Sequence, residues 1–336
     1  MNSARHEIAR RHPAALAIGL VAFSCLASGA ARAADRPPAR ETVGRLAAGA
    51  PRLFAPEAEW PAGTDASPAF TPDGRTVFFT HAVGPSRTIM VSHLAHGVWS
   101  TPEPAPFSGT WRDIEPAMAP DGSYLVFVSN RPAIPGGGAL TGFFGGQSRP
   151  GAGGNIWRVN RIGAGWGDPV RLPDTVNGNS AIYSPAVTGD GSLYFNQPDP
   201  LTHKSRVYRA QATAEGFQAP EPMSFSAGPG SAYDVAVAPD ESFLVFSSGR
   251  APATGDQSLV FAAFRRDGHW TTPVPLQPLI EGIEARLSPD LKTLYISAGA
   301  PVGSPEAARG STTESRIYRI PLRRFTKGAR PQGEVR

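Results

Sequence analysis

The stretch PAFTPDG at residues 68–74 occurs in recognisable form four more times along this 336-residue chain. Each copy is followed at once by a run of β-branched, aliphatic or aromatic residues, which is typical of a buried strand. The intervals between the copies are 48, 69, 50 and 50 residues. A repeat of this length built from short strands predicts a β-propeller with one repeat per blade. The other four copies read PAMAPDG (116–122), PAVTGDG (185–191), VAVAPDE (235–241) and ARLSPDL (285–291).

Each repeat predicts a four-stranded blade. The PAFTPDG-like phrase forms the first strand and a tight turn, and the apolar run forms the second strand. A third strand follows, and an aromatic residue with proline three positions later, such as Trp99 and Pro102, marks the outermost strand, where a missing N–H is tolerated.

The fifth repeat stops after its third strand, whereas residues 53–63 (LFAPEAEWPAG) match the outer-strand segment 99–109 without a blade before them. We therefore expect an all-β, five-bladed β-propeller in which the N-terminal segment supplies the outer strand of the last blade. Six blades are less favoured, because residues 34–64 are too few for a blade and contain no repeat. The propeller is predicted to span residues 52–322, with blades near 65–110, 111–178, 179–230, 231–281 and 282–322.

Residues 1–33 have the pattern of a secretory signal peptide. A basic start (Arg5, Arg10 and Arg11) precedes a short apolar run, and Ala31-Arg32-Ala33 forms a cleavage site. The run is too short to span a membrane, so we expect a periplasmic or secreted protein after cleavage near Ala33. Whether export is by the general or the twin-arginine route, and whether Cys25 is lipidated, is left open. Residues 34–51 are predicted to be a flexible N-terminal segment, and residues 323–336 a basic tail.

Charge and cysteine content exclude several classes of protein. Cleavage removes four of the 32 Lys and Arg residues and one of the 28 acidic residues, so the mature balance is 28 − 27, or +1. We therefore expect no nucleic-acid partner, and we expect a monomer. The only cysteine is Cys25, so the mature chain forms no disulfide. The sequence contains no Gly-x-Ser-x-Gly elbow, P-loop or dinucleotide fingerprint.

One repeat contains a Gly-rich insertion at residues 131–154 (RPAIPGGGALTGFFGGQSRPGAGG). Its composition is that of a long loop, yet Phe143 and Phe144 lie in its middle. Two interpretations stay open: a disordered insertion, or a loop that covers or grips a ligand.

Two stretches carry a resemblance to a known family. Residues 127–132 (FVSNRP) followed by 155–157 (NIW) are similar to the F-x-S-N-R-x…N-I-Y signature of the PD40 repeat, a WD40-like repeat of TolB-like periplasmic propellers. Residues 165–173 (GWGDPVRLP) resemble the G-W-G-x-P-V-x-L stretch of the same repeats in peptidoglycan-associated proteins. The resemblance covers residues 52–322 and implies the fold. TolB binds a peptidoglycan-associated lipoprotein and carries an N-terminal α/β domain, for which the residues before 52 leave no room, so its role is not carried over.

Alternation along the first strands predicts the lining of the central channel. Larger apolar residues such as Phe70 and Val187 are expected to pack between blades, and the opposite face is small or charged. Propellers usually bind ligands where their loops meet at one mouth of the channel. The side chains expected at that mouth, which are our candidate ligand-binding residues, are Glu115, Asp234, Glu284, Arg286, Arg131, Arg250, His81, Phe143 and Phe144.

Three interpretations of the carboxylates remain open. They form structural ties, through salt bridges with Arg286 and through bonds to backbone N–H groups of neighbouring blades. Alternatively they bind a ligand or Ca²⁺, for which Asp65, Asp113 and Glu115 are weak candidates. In the third interpretation Glu115, Asp234 and Glu284 are catalytic, as in five-bladed glycoside hydrolases, where one carboxyl acts as acid and another as base or nucleophile.

We expect a non-catalytic binding or scaffolding module for a periplasmic protein, peptide or cell-wall glycan. No cofactor is expected apart from Ca²⁺. Whether the chain is an enzyme is left open, and the alternative function is that of a glycosidase-like hydrolase using the carboxylates of the channel mouth.

Overall fold

The computed structural model describes residues 45–55, 60–144, 147–228, 230–299, 304 and 314–325. The predicted signal peptide, including Cys25 and Ala33, lies outside the described residues, as does most of the basic tail. Among the described residues, no helix is long and apolar enough to cross a membrane.

The described residues form five antiparallel sheets of four or five strands, which are the five blades of a β-propeller. In every blade the first three strands pair in chain order, and one or two short strands cover the outer edge. The predicted all-β, five-bladed propeller is therefore confirmed. Blade 1 consists of β3 (Thr64–Phe70), β4 (Thr76–Val83), β5 (Ser86–Ala95), β6 (Val98–Trp99) and β7 (Glu103–Pro104). Blade 2 consists of β8 (Asp113–Met118), β9 (Tyr124–Ser129), β12 (Asn155–Ile162), β13 (Gly165–Trp166) and β14 (Val170–Arg171).

Blades 3 and 4 repeat this arrangement, and a small hairpin and a short 3-10 helix (Ser224–Ser226) accompany blade 3. Blade 3 consists of β15 (Tyr183–Val187), β16 (Leu193–Pro198), β17 (Ser205–Ala210) and β20 (Glu221–Pro222), beside the hairpin of β18 (Ala212–Thr213) and β19 (Gly216–Phe217). Blade 4 consists of β21 (Ala232–Val237), β22 (Phe243–Ser248), β23 (Leu259–Arg266), β24 (His269–Trp270) and β25 (Val274–Pro275).

Blade 5 closes the ring with strands from both ends of the described chain. It contains β26 (Ile283–Leu287), β27 (Thr293–Ala298) and β28 (Arg316–Phe325), covered by β1 (Arg45–Ala48) and β2 (Arg52–Leu53). The N-terminal segment thus supplies the outer strand, as predicted. However, β1 begins within the segment 34–51 expected to be flexible, and β28 runs three residues past 322. The ten-residue β28 exposes a long edge, and β1 and β2 cover it as β6 and β7 cover β5.

In the described part of the chain, the core consists of five apolar clusters, and each fills the space between two neighbouring blades. The cluster between blades 5 and 1 joins Phe54 of the N-terminal segment to Phe70 and Tyr295, with ring centroids 5.7 and 5.5 Å from Phe54. On the other side of blade 5, Leu46 of β1 packs into the cluster shared with blade 4. The N-terminal strands therefore contribute side chains to both interfaces of the closing blade.

The aspartate of each repeat stabilises the turn between the first and second strands. In blade 1 the Oδ1 atom of Asp73 accepts hydrogen bonds from the Thr71 hydroxyl (2.6 Å) and the backbone N–H of Arg75 (3.0 Å). These bonds hold the pKa of Asp73 below its usual range. The repeated phrase is therefore explained by turn chemistry.

Candidate functional site

The first strand of every blade contains a β-bulge at the same position, where the pairing with the second strand shifts by one residue. The residue at the bulge has a positive φ in all five blades, between 51 and 57°, although it is never glycine. A non-glycine residue in this left-handed region costs about 1–3 kcal/mol, so surrounding contacts must hold it. The five bulge residues are Ser67, Glu115, Ser184, Asp234 and Glu284.

The backbone N–H of each bulge residue donates a hydrogen bond to a side chain of the preceding blade. In two blades the acceptor is a bulge carboxylate: Ser184 donates to Glu115 Oε2 at 2.6 Å, and Glu284 donates to Asp234 Oδ2 at 2.8 Å. In the other three blades the acceptor comes from the preceding second strand. These bonds are Glu115 to Thr80 Oγ1 (2.8 Å), Asp234 to Asn196 Oδ1 (3.2 Å) and Ser67 to Ser297 Oγ (3.4 Å).

Side-chain hydroxyls add further bonds to this network, and we call the five bulge residues with their hydrogen-bond partners the belt. Ser184 Oγ donates to Asp234 Oδ1 at 2.7 Å, so that both oxygens of Asp234 accept hydrogen bonds. Ser67 Oγ and Ser297 Oγ donate to Glu284 Oε2 at 3.0 and 3.1 Å. Glu115 Oε1 and Glu284 Oε1 accept no hydrogen bond from the described part of the chain.

Burial and mutual repulsion shift the pKa values of these carboxyls. Burial, followed by the negative charges of Glu284 and Asp234, raises the pKa of Glu115 to about 8. The pKa of Glu284 is raised by burial first and by Asp234 second, while Arg286 opposes the shift. At neutral pH Glu115 is therefore mostly protonated, and the belt carries less negative charge than its three acids suggest.

A cavity of about 270 Å³ opens beside the belt at the end where the first strands begin. Three aromatic rings face it: Tyr183 and Tyr233, which immediately precede bulge residues, and Phe143 of the insertion. Its volume lies just below the range of about 300–1,000 Å³ typical of small-molecule pockets. We call it the mouth cavity, and its lining residues are Glu115, Phe143, Ala181, Tyr183, Ser184, Asn196, Gln197, Pro198, His203, Ser205, Tyr233 and Asp234.

The insertion forms one wall of the mouth cavity through a hairpin of β10 (Gly142–Phe144) and β11 (Gln147–Arg149). The Tyr183 hydroxyl donates to the carbonyl of Ala152 at 2.7 Å, and Asn130 Nδ2 donates to that of Gly151 at 2.8 Å. These contacts anchor the end of the insertion that follows the hairpin. The side chain of Phe143 is 53% exposed; that of Phe144 lies outside the described residues.

The two arginines expected at the mouth are instead packed into their blades. Arg131 makes a short ion pair with the buried Asp113, donates to the Phe107 carbonyl at 2.6 Å and lies over the Phe127 ring. Arg250 occupies the equivalent position in blade 4, where it donates to the carbonyl of Phe225 at 3.0 Å. Their prediction as ligand-binding residues took no account of these carbonyls, which draw both guanidinium groups inward.

His81, Asp65 and Asp113 are also paired within the fold. His81 Nδ1 lies 2.8 Å from Asp65 Oδ1, and Arg316 approaches the other oxygen of Asp65 at 3.4 Å. Among the described residues no three His, Cys, Asp or Glu side chains lie close enough to hold a metal ion. The predicted set of Asp65, Asp113 and Glu115 is therefore not brought together, because each aspartate binds a cationic or imidazole partner of its own blade or its neighbour.

Arg286 lies two positions after the bulge of blade 5 and lines a second cavity at the opposite ends of the first strands, beside the repeat turns. The residues predicted to meet at the mouth therefore lie in different places. Glu115, Asp234 and Phe143 line the mouth cavity. Glu284 is hydrogen-bonded within the belt, and Arg286 lines the cavity at the other end of the channel. Arg286 forms no ion pair with Glu115 or Glu284 in the described chain, so the predicted salt bridges are wrong, although its positive charge lowers the pKa of both acids from a greater distance.

Sequence reasoning placed Gln197 at the mouth, at the end of a second strand, but missed Tyr183 and Tyr233 as lining residues. A regular strand would send each tyrosine to the face opposite the channel residue that follows it, whereas the bulge changes the direction of the strand. The sequence did contain a feature that marks these two positions. Tyrosine precedes the bulge residue only in blades 3 and 4, while blades 1, 2 and 5 have Ala66, Ile114 and Ile283.

No protein family model and no curated protein matches this chain. Similar solved structures include TolB from Acinetobacter baumannii (18% identity, TM-score 0.42), with 67% of this chain and 46% of that chain covered. A putative TolB from Agrobacterium tumefaciens shares 16% identity over 79% of this chain and 91% of that chain, with a TM-score of 0.40. A gluconolactonase from Xanthomonas campestris shares 16% sequence identity over 83% of this chain and 97% of that chain, with a TM-score of 0.41. The chain thus spans less than half of the length of the first of these proteins, and likenesses at this level carry no argument about activity or partners.

Proposed function

We propose that this chain is an exported PD40-type propeller that acts as a non-catalytic binding module. Its partner is a periplasmic protein, peptide or cell-wall glycan, one unit of which enters the mouth cavity. Export rests on the predicted signal peptide, and the PD40 assignment rests on the FVSNRP and GWGDPVRLP stretches.

The observation that carries this proposal is the composition of the mouth cavity. Tyr183, Tyr233 and Phe143 offer aromatic surface, and the partly exposed Gln197 and the exposed His203 offer hydrogen-bonding groups. Aromatic walls with a few polar groups suit the alternating apolar and polar faces of a sugar ring or a peptide unit. The belt carboxylates already hold the blades together, which favours binding over turnover.

Isothermal titration calorimetry of the mature protein with soluble muropeptides tests the proposal, because these fragments contain both glycan and peptide. Removing the exposed ring of Phe143 by Phe143→Ala should weaken binding about three- to tenfold, since an aromatic contact contributes roughly 1 kcal/mol. Ile162→Ala is the matched control, because Ile162 is 66% exposed but lies outside the cavity lining. Equal affinities for the wild type and Phe143→Ala would contradict the assignment of the cavity.

A glycosidase-like hydrolase is the second candidate, favoured by one observation. Glu115 has a pKa of about 8 and is protonated at neutral pH, as the general acid of such an enzyme must be. Against this, both oxygens of Asp234 accept bonds from neighbouring blades, which leaves it poorly placed to act as base or nucleophile. If the chain is a hydrolase, Glu115→Gln abolishes turnover of glycan substrates while their affinity is retained.

A further inference from the structure

The second cavity lies at the turn end of the channel and has a volume of about 200 Å³. Its wall is built mainly from prolines and small or aliphatic side chains of the first strands and their turns. Two positions after the bulge, four blades contribute alanine: Ala69, Ala117, Ala186 and Ala236. The fifth blade contributes Arg286 at the same position. Among the described residues that line this cavity, Arg286 is therefore the one charged side chain, and Ser288 is the other polar one.

The guanidinium group of Arg286 is buried and incompletely bonded. The residue is 5% exposed, and Nη1 donates to the carbonyl of Ala285 at 2.9 Å. Nε and Nη2 are buried and have no hydrogen-bond partner among the described residues. A buried, charged donor without an acceptor is costly, so this position favours an occupant that supplies one.

The unpartnered atoms define the chemistry of that occupant. Nε–H and Nη2–H project in parallel from one edge of the guanidinium plane, and this edge matches the two oxygens of a carboxylate. Beyond the charge, the walls of the cavity offer apolar contacts from residues such as Val187, Val237 and Leu287. Pro72 and Pro289 on its rim are exposed, which gives access from the turn face.

We propose that this second cavity binds a small organic acid, with its carboxylate on the Nε–Nη2 edge of Arg286 and its apolar part against the proline and alanine walls. This site lies at the other end of the channel from the mouth cavity and does not depend on the function proposed above.

The belt carboxylates modulate the site. The positive charge of Arg286 acts on Glu115 and Glu284, and Asp234 in turn acts on both of these acids. While Glu115 is protonated, Arg286 retains more of its attraction for an anion. Ionisation of Glu115 as the pH rises through about 8 adds a competing negative charge, so the affinity for an organic acid should fall above that pH.

Calorimetric titration of the mature protein with butyrate, 1-butanol and inorganic phosphate tests the site. Butyrate should bind more tightly than phosphate, and butanol should bind at least tenfold more weakly because it lacks the carboxylate. Arg286→Ala should weaken butyrate binding at least tenfold. Arg286→Lys, which keeps the charge but loses the paired N–H groups, should also bind more weakly than the wild type.

Arg286→Ala is expected to fold, because four blades already have alanine there, and circular dichroism checks this. The control variant is Arg266→Ala, which removes an exposed arginine on β23 and should leave butyrate binding unchanged. The proposal is overturned if butyrate does not bind at millimolar concentration, if Arg286→Ala binds it as the wild type does, or if phosphate binds more tightly. Phe143→Ala should leave butyrate binding intact, so a failure here is distinguishable from a failure at the mouth cavity.

Discussion

The free energy of unfolding should depend on pH because of the belt acids, and replacing Glu115 by glutamine should remove most of this dependence. Glu115 is 9% exposed, and its pKa is raised from an ordinary value of 4.5 to about 8. The folded state thus holds the proton more tightly than the unfolded chain. The contribution of the Glu115 carboxyl to the free energy of unfolding is fully present below pH 4.5 and is lost as the pH rises towards 8.

The size of the effect follows from the shift. Each pKa unit corresponds to about 1.4 kcal/mol, so the three pH units between 5 and 8 correspond to a loss on the order of 4 kcal/mol in the wild type. Glutamine cannot ionise, and its side-chain oxygen can still accept the N–H of Ser184. Glu115→Gln should therefore match the wild type near pH 5 and exceed it by several kcal/mol at pH 9.

Urea unfolding followed by tryptophan fluorescence at pH 5, 7 and 9 measures this difference. Asp113, whose pKa is also raised, affects both proteins alike. Glu284 and Glu115 repel each other, so the pKa of Glu284 should fall in Glu115→Gln, and the difference between the two profiles reports the loss of the Glu115 carboxyl together with this repulsion. Glu103→Gln, which neutralises an exposed carboxylate on β7, is the control and should parallel the wild type. Parallel profiles for the wild type and Glu115→Gln from pH 5 to 9 would refute the reasoning.

Two further predictions concern the parts that hold the ring together. Arg131→Ala leaves the fully buried Asp113 without its cation and should cost about 3–5 kcal/mol, measured by urea unfolding; a loss under 1 kcal/mol would show that the pair is not needed. Deleting residues 1–53 removes β1 and β2, exposes the edge of β28 and removes Leu46 from the core. The deleted protein should melt at a lower temperature and associate in light scattering, and an unchanged melting temperature and mass would contradict ring closure by these strands.

Local patterns predicted the fold well because they report local chemistry. The aspartate of each turn binds the backbone only two residues on, as Asp73 binds the N–H of Arg75, so its position marks a blade directly. Ring closure was also readable, because an outer-strand segment stood without a blade before it. The exact closing strands were not readable, since β1 has no repeat motif and is positioned only by the long edge of β28.

Side-chain direction was the main limit on predicting the site. Arg131 and Arg250 follow the second strands and were expected to face the mouth, yet carbonyls of the preceding blade and aromatic rings of their own blades draw them inward. Tyr183 and Tyr233 were excluded by simple alternation, which a bulge breaks. Such outcomes depend on contacts between segments distant in sequence, which strand periodicity does not report.

The belt explains why acids occur in some blades and not in others. Three second strands offer a side-chain acceptor to the next bulge, whereas blade 2 has Val128 at that position and blade 4 has Ser247, whose hydroxyl makes no hydrogen bond with the described residues. In those two blades the carboxylates of Glu115 and Asp234 supply the acceptor instead.

Blade 5 does not need a bulge carboxylate as acceptor, because Ser297 Oγ already accepts the hydrogen bond from the bulge residue of blade 1, Ser67. It nevertheless has both a bulge carboxylate, Glu284, and the only charged side chain two positions after a bulge, Arg286. The backbone requirement that explains Glu115 and Asp234 leaves these two charges unexplained. A role other than holding the blades together, such as ligand binding, is therefore most strongly indicated in the channel at blade 5, where the unpartnered edge of Arg286 lies.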